Sequence, residues 1–229
     1  MNVLDILNRL SVGFQRWMQG IPAGSAHVYD WFVTRLLEGS YRYVAGDIGE
    51  GGFGRVLDVG CGPGRLLIEL ARKNTYDLLV GLDVSKAMAY IARRNFIHEG
   101  VYGLLDSVVA DAQMMPLRGG GFDLVVSIGT LHYMRNLSVF FTECVRVLGN
   151  GGFAWIYEPS YDVSDNDLLE SSRILKKPKF LLKIIVTLHG IPRREYEEGY
   201  IRDALIKSSI KYSIIYVGAI TKLILFSEN

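Results

Sequence analysis

The chain has 229 residues, 49% of them hydrophobic and 21% charged, an ordinary globular composition sufficient for the core of one α/β domain. Its net charge of +1 provides no global field that would draw it to nucleic acid or an anionic membrane. The only cysteines, Cys61 and Cys144, suggest neither a disulfide framework nor a zinc site, and no apolar run reaches the length of a membrane span.

Residues 1–9 include Asp5 and lack the charge order and cleavage pattern of a signal peptide, so a reducing, cytoplasmic setting is expected. Val3, Ile6, Leu7, Leu10, Phe14 and Trp17 recur every three or four residues, which predicts an amphipathic helix over 2–18. With Arg9 and Arg16 as its only cations, that helix is a poor membrane-surface element. Ile21-Pro22-Ala23-Gly24-Ser25 ends it, and Tyr29, Phe32, Val33, Leu36 and Leu37 mark a second helical pattern. Residues 1–50 therefore read as an N-terminal helical lid ahead of the first core strand.

Val56-Leu57-Asp58-Val59 is a short apolar run of the kind a buried parallel strand shows. It breaks into Gly60-Cys61-Gly62-Pro63-Gly64, followed at helical spacing by Leu66, Leu67, Leu70 and Ala71. A second run, Leu78 to Leu82, ends on Asp83, completing a βαβ unit with a ligand-binding turn at its first junction. The glycines let the backbone bend sharply and let a ligand come close. A carboxylate at Asp83, on the carboxyl end of the second strand, can accept hydrogen bonds from both hydroxyls of a ribose. The dinucleotide fingerprint G-x-G-x-x-G is broken, however, because Arg65 stands three positions after Gly62 and Leu67 three after Gly64. The spacing is G-x-G-x-G with Asp58 two positions ahead; without the third glycine, close packing beside a pyrophosphate is less well served, and the alternative is a nucleoside carrying an amino-acid tail.

Ser85 is the expected N-cap of a helix marked by Met88, Ile91, Ala92, Asn95 and Phe96 and ended near Gly100. Ser107 to Ala110 forms a third strand, with Asp111-Ala112 at its carboxyl end, and Phe122 to Ile128 a fourth. A helix over Leu137–Leu148 is expected to turn Val139, Phe140, Cys144, Val145 and Leu148 inward. Gly149-Asn150-Gly151-Gly152 then leads into strand five, Phe153 to Tyr157, which ends at Glu158-Pro159. This alternation predicts right-handed parallel crossovers with ligands outside the carboxyl ends of the strands. Asp58, Asp83, Asp111 and Ser127 all fall there. After strand four, His132 and Tyr133 are polar aromatics; His132 either holds or deprotonates a substrate, or packs and bonds locally. His27, His98 and His189 show no metal-ligand pattern.

In the insertion at 160–194, Asp162, Asp165, Asp167 and Glu170 precede an acid-free stretch with Arg173, Lys176, Lys177, Lys179, Lys183, Arg193 and Arg194. Phe180, Leu181, Leu182, Ile184, Ile185, Val186 and Leu188 are interleaved with these cations. Either this is a basic lid for a phosphate-bearing, RNA or lipid-surface partner, or it is a solvated helix face over an apolar lid interior; the second is favoured. Glu195 to Ser208 reads as a helix. Tyr212–Val217 and Ile220–Phe226, joined by Gly218-Ala219, read as a hairpin that closes a single domain.

Taken together, Asp58-Val59-Gly60-Cys61-Gly62-Pro63-Gly64, the strand-end Asp83 and the pair Asp111-Ala112 resemble the class I S-adenosylmethionine-dependent methyltransferases, small-molecule, methyltransferase-domain-11-like type, over roughly residues 50–160. The resemblance implies a Rossmann-like seven-stranded, mostly parallel α/β sheet with an antiparallel final strand, helices on both faces, and the insertion after strand five. That segment is where substrate choice is often made. It implies a cofactor site at Asp58, Gly60, Cys61, Gly62, Gly64, Asp83, Val84, Asp111, Ala112 and Ser127, with Asp111 accepting from the adenine amino group and Val84 packing on the ring. His132, Tyr133 and Tyr29 become candidates at the reacting end, although Tyr29 reads equally as an aromatic staple between lid and core. The implied reaction is methyl transfer to O, N or C of a small or medium-sized acceptor, without a metal. An RNA acceptor at 173–194 remains an alternative, although Ser127-Ile128-Gly129-Thr130 replaces the Asn/Asp-Pro-Pro-Tyr signature of amino-directed nucleic-acid methylation. A non-catalytic binding module is a further alternative. A nucleotide-dependent oxidoreductase is opposed by the missing third glycine and by the hairpin.

Overall fold

The structure is a computed structural model and describes residues 34–73 and 76–227, together with residues 6, 8, 10, 11 and 13. These last five are helical. The remainder of the predicted helix 2–18, and the second pattern as far as Val33 with Tyr29 in it, lie outside the described residues.

Helix α1 (Thr34–Gly49) enters strand β1 (Arg55–Val59), followed by α2 (Arg65–Ala71), β2 (Leu78–Asp83), α3 (Lys86–His98), β3 (Leu105–Val109) and β4 (Phe122–Ile128). Then come α4 (Leu137–Val147), β5 (Leu148–Pro159), α5 (Asp165–Leu175), α6 (Lys179–His189), α7 (Arg194–Glu197), α8 (Tyr200–Ser208), β6 (Tyr212–Val217) and β7 (Ile220–Phe226). The seven strands form one sheet in the order β3-β2-β1-β4-β5-β7-β6. β7 runs antiparallel to both β5 and β6, and the pairs among β1 to β5 are parallel. This is the sheet the sequence pattern predicts, with the final strand inserted beside β5 by the Gly218-Ala219 hairpin.

Both faces of the sheet are covered, which is why its central strands are apolar without interruption. Leu57 and Val59 point to the layer of Phe140, Phe141 and Cys144 on α4 and Ile201 and Leu205 on α8. Val56 points to the opposite layer, with Val44 and Ile48 of α1, Leu66, Leu67 and Leu70 of α2, and Ala92 and Phe96 of α3. The period-two alternation puts Asp58 on the side of Val56. α1 is pinned to that face by polar bonds: Tyr157 Oη and Lys222 Nζ both donate to Asp47 Oδ2, at 2.6 Å and 2.7 Å, and Lys222 lies over the Trp155 ring.

Three local expectations shift. Asn136 caps α4 through its side-chain acceptor for Val139 N, and the inward stripe is Leu137, Phe140, Phe141, Cys144 and Val147 while Val139 faces outward. The helix expected over 195–208 divides into α7 and α8, because Gly199 takes extended backbone between them. Strand five begins earlier, at Leu148. The insertion folds as two helices around its own small core of Leu168, Leu175, Leu182 and Val186, with a Ser164–Asp167 capping box opening α5. The side chain of Asn8 donates to Thr187 O and Gly190 O at 2.9 Å each, joining the N-terminal helical residues to the end of α6. No helix of the described residues is long and apolar enough to cross a membrane.

Candidate functional site

The carboxyl ends of β1, β2, β4 and β5 open into a cavity of about 730 Å³, which α1 and α6 roof over. Its floor is the glycine turn. Gly60 N and Cys61 N both donate to Leu82 O, at 2.7 Å and 3.1 Å, lashing the turn to β2. Gly60 has a φ of 75°, and a Cβ there would sit 2.6 Å from Thr130, so the turn also abuts the loop after β4. Gly62 has open space around it, which leaves its backbone accessible to a ligand. Gly64, at φ 75°, would drive a Cβ to within 2.4 Å of Phe96 on α3; it is a packing glycine and does not line the cavity. Asn95 Nδ2 donates to Pro63 O at 3.0 Å and fixes the turn from α3.

Of the residues expected at the ligand, Asp58, Gly60, Cys61, Gly62, Asp83, Val84, Asp111, Ala112, His132 and Tyr133 all line this cavity. Ser127 does not. Its side chain is fully buried and donates to Val59 O at 2.8 Å, tying β4 to β1. A side chain at a strand end points to the ligand side only if its phase in the pleat allows it, and here the hydroxyl is consumed inside the sheet.

Asp83 accepts from Gly62 N at 2.9 Å through Oδ2 and from Ser85 N at 2.8 Å through Oδ1, which leaves each oxygen a further lone pair for a ligand hydroxyl. Asp58 is 3% exposed; burial, and then the charge of Asp83, push its carboxyl up to about 8. Burial also raises Asp83, against the two backbone donors that lower it. The Cys61 thiol is pushed well above its ordinary value by burial and then by the charges of Asp58 and Asp83, so it packs in the turn as a neutral group. Two carboxyl groups thus face one cavity in which Lys177 is the only lysine or arginine among the described lining residues. Such a site favours a ligand that brings hydroxyl donors and positive charge. Further out, Asp111 Oδ1 accepts from Gln113 N at 2.8 Å, Ala112 is buried and Val84 is half exposed.

The loop after β4 is held by a residue that sequence reasoning passed over as a mere strand end. Glu158, 1% exposed, accepts from Thr130 N and Leu131 N at 2.6 Å each through Oε1, and its Oε2 lies 3.3 Å from His132 Nδ1. His132 is 2% exposed, and its Nε2 is buried with no hydrogen-bond partner. The Tyr133 ring lies 4.4 Å from it; burial, and then the charges of Glu158 and Asp83, push that phenol up to about 12. The His189 ring of α6 lies 5.7 Å away, lowered to about 4 by burial and by His132. The only signal for Glu158 in the sequence is an acid directly after an apolar strand, and nothing there connects it to His132.

The roof is apolar. Leu36 and Leu37 of α1 and Leu181, Leu182, Ile185 and Val186 of α6 line it. The basic stretch is partly neutralised by the acids before it: Lys179 pairs with Asp165 at 3.0 Å, Arg193 with Asp167 at 3.5 Å, and Arg193 stacks on Tyr216. Among the described residues no group of three or more His, Cys, Asp or Glu side chains could hold a metal ion.

Residues 57–156 match the methyltransferase domain family. The sequence is 40% identical over 98 residues to the malonyl-(acyl-carrier protein) O-methyltransferase of Geobacter sulfurreducens, a match covering 43% of this chain and 36% of the relative. It is 35% identical over 114 residues to the fatty-acid O-methyltransferase of Mycolicibacterium smegmatis, covering 48% and 40% respectively. The chain thus spans well under half the length of these curated relatives. A crystal structure from Methanococcus maripaludis, provisionally named an S-adenosyl-L-methionine-dependent methyltransferase, superposes with a TM-score of 0.73 at 26% identity over 90% of this chain and 94% of that one.

Proposed function

We propose that residues 57–156, which match the methyltransferase domain family, form a class I S-adenosylmethionine-dependent methyltransferase domain, and that the protein transfers a methyl group to a small or medium-sized acceptor. When bound, S-adenosylmethionine supplies a methyl on a sulfonium, and the acceptor's bond to that carbon forms as the carbon–sulfur bond breaks, its electron pair staying on sulfur. The chain's part is binding and alignment, which in well-oriented systems lowers barriers by up to about 7–11 kcal/mol. Asp83 accepts the ribose hydroxyls. Val84 and Ala112 pack on the adenine, and Asp111 accepts from its amino group. Asp58 answers the cationic amino-acid end across the Gly60–Gly62 turn, while His132 and Tyr133 face the reacting end. Gly64 and Ser127 act through packing rather than contact.

The observation that carries this reading is the pair of carboxyl groups, buried Asp58 and half-buried Asp83, beside an open glycine turn, with positive charge left for the ligand to bring. The names of the similar enzymes, which give malonyl-(acyl-carrier protein) and fatty acid as acceptors, support a non-nucleic-acid acceptor. The RNA reading is weaker, because part of the basic stretch is engaged by Asp165 and Asp167 and the inner side of α6 is apolar. A cytoplasmic setting suits two buried free thiols.

Calorimetric titration with S-adenosylhomocysteine, with NADH in parallel, tests the assignment. Micromolar binding of the first is expected, weakened at least a hundredfold by Asp83→Ala, with no binding of NADH. Absence of S-adenosylhomocysteine binding, or preference for NADH, would overturn it. Turnover of an acceptor then separates an enzyme from a binding module.

A further inference from the structure

Two features of the cavity are unused by the cofactor reading. The first is the His132 Nε2 atom, buried on the cavity wall and without a partner. The second is the apolar roof. The His132 ring lies 5.7 Å from that of His189 on α6, and Leu182, Ile185 and Val186 of the same helix line the same cavity. The histidine that carries the orphan nitrogen and the apolar wall therefore border one space. A cavity of about 730 Å³ lies in the upper part of the range of ligand sites, roughly 300 to 1,000 Å³.

The electrostatics select the acceptor's polar group. The Nδ1 side of His132 meets Glu158, a carboxylate that already accepts two backbone N–H groups. Nδ1 is thus the protonated nitrogen of the neutral ring, and Nε2 keeps a lone pair that accepts but does not donate. The groups around the ring are Glu158, the neutral phenol of Tyr133, on which the charges of Glu158 and Asp83 act, and the neutral His189. A carboxylate or phosphate brought here would meet negative charge and a bare lone pair. A hydroxyl would donate to it.

Resting on the methyltransferase reading, we infer that the acceptor is a lipophilic molecule presenting one weakly acidic hydroxyl, a phenol or an enol, to Nε2 of His132. The acceptor oxygen bonds to the methyl carbon, the carbon–sulfur bond breaks with its pair retained by sulfur, and the hydroxyl proton passes to Nε2. The resulting imidazolium is held against Glu158 until it releases the proton to solvent. Glu158 is a positioning residue: it touches no substrate but sets which nitrogen of His132 is free and anchors the loop carrying it.

The test uses the full chain saturated with S-adenosylhomocysteine and titrated with 4-pentylphenol, 4-pentylanisole and 4-pentylbenzoate. The phenol should bind about tenfold more tightly than the anisole, which lacks the donor, and more tightly than the benzoate. His132→Leu should bring phenol and anisole to near equality. Nitrogen-15 spectra of histidine-labelled wild-type protein give a reading that does not depend on that variant folding. The Nε2 resonance of His132 should lie in the unprotonated range, shift with the phenol and not with the anisole, and lose its fixed tautomer in Glu158→Gln. If S-adenosylhomocysteine binds but phenol and anisole bind alike, or if the benzoate binds best, this inference falls while the cofactor assignment stands. If Nε2 proves to carry the proton in the neutral ring, the inference falls as well.

Discussion

Replacing Asp58 by asparagine should stabilise the ligand-free protein, by an amount set by pH. Burial, and then the charge of Asp83, move the Asp58 carboxyl from its ordinary 3.8 to about 8. The unfolded chain releases that proton near 3.8 and the folded chain holds it to about 8. This contribution to stability is therefore whole below 3.8 and is lost as pH rises, at about 1.4 kcal/mol per pH unit, until it levels off above about 8. Between pH 5 and pH 7.5 the wild type loses about 3 kcal/mol through this one group, and the Asp58→Asn variant loses none. Urea unfolding at the two pH values measures it, provided the slopes match. The advantage of Asp58→Asn should widen by about 3 kcal/mol, and any defect of the amide that does not depend on pH cancels in the difference. Saturating S-adenosylhomocysteine should shrink the advantage, because a cationic ligand compensates the carboxylate that the variant lacks. A gap that stays constant within about 0.5 kcal/mol between the two pH values would refute the reasoning, since an Asp58 ionised throughout that range contributes no such slope.

Two further substitutions test the frame around the site. Gly64→Ala places a Cβ 2.4 Å from Phe96 at a backbone φ of 75°, and should cost about 2–4 kcal/mol of stability through left-handed strain and overpacking, read as a lowered melting temperature. Asp47→Ala removes the acceptor shared by Tyr157 and Lys222 and leaves a mostly buried ammonium over Trp155 without its carboxylate. A loss of about 2–4 kcal/mol is expected in denaturant unfolding, and Lys222→Met in the same background should recover part of it.

Much of the fold is legible in the chain because its determinants are local. Each strand–turn–helix transition from Val56 to Pro159 carries its own signal: an apolar run, a glycine, or a capping side chain such as Ser85, which accepts from Met88 N. Two local expectations differ from the structure: Val139 lies outside the buried stripe of α4, and Gly199, in extended backbone, divides the last helix pair. Ser127 stands outside the cavity lining because a strand end specifies depth along the sheet and not which partner a hydroxyl will find.

The sequence by itself determined the sheet, the glycine turn and the acids Asp58, Asp83 and Asp111, since a βαβ unit sends its strand ends to one edge whatever surrounds it. Only the tertiary structure decided the chemistry of the opposite wall. The pairing of His132 with Glu158, the packing of His189 against His132, the anchoring of Asn8 at the end of α6 and the meeting of Asp47 with Lys222 each join segments distant in the chain. A lone histidine, a strand-end glutamate and an apolar helix carry no sign of one another in a linear sequence. Their burial around one cavity fixes which nitrogen is free, which carboxylate is protonated, and what kind of molecule the space between them can hold.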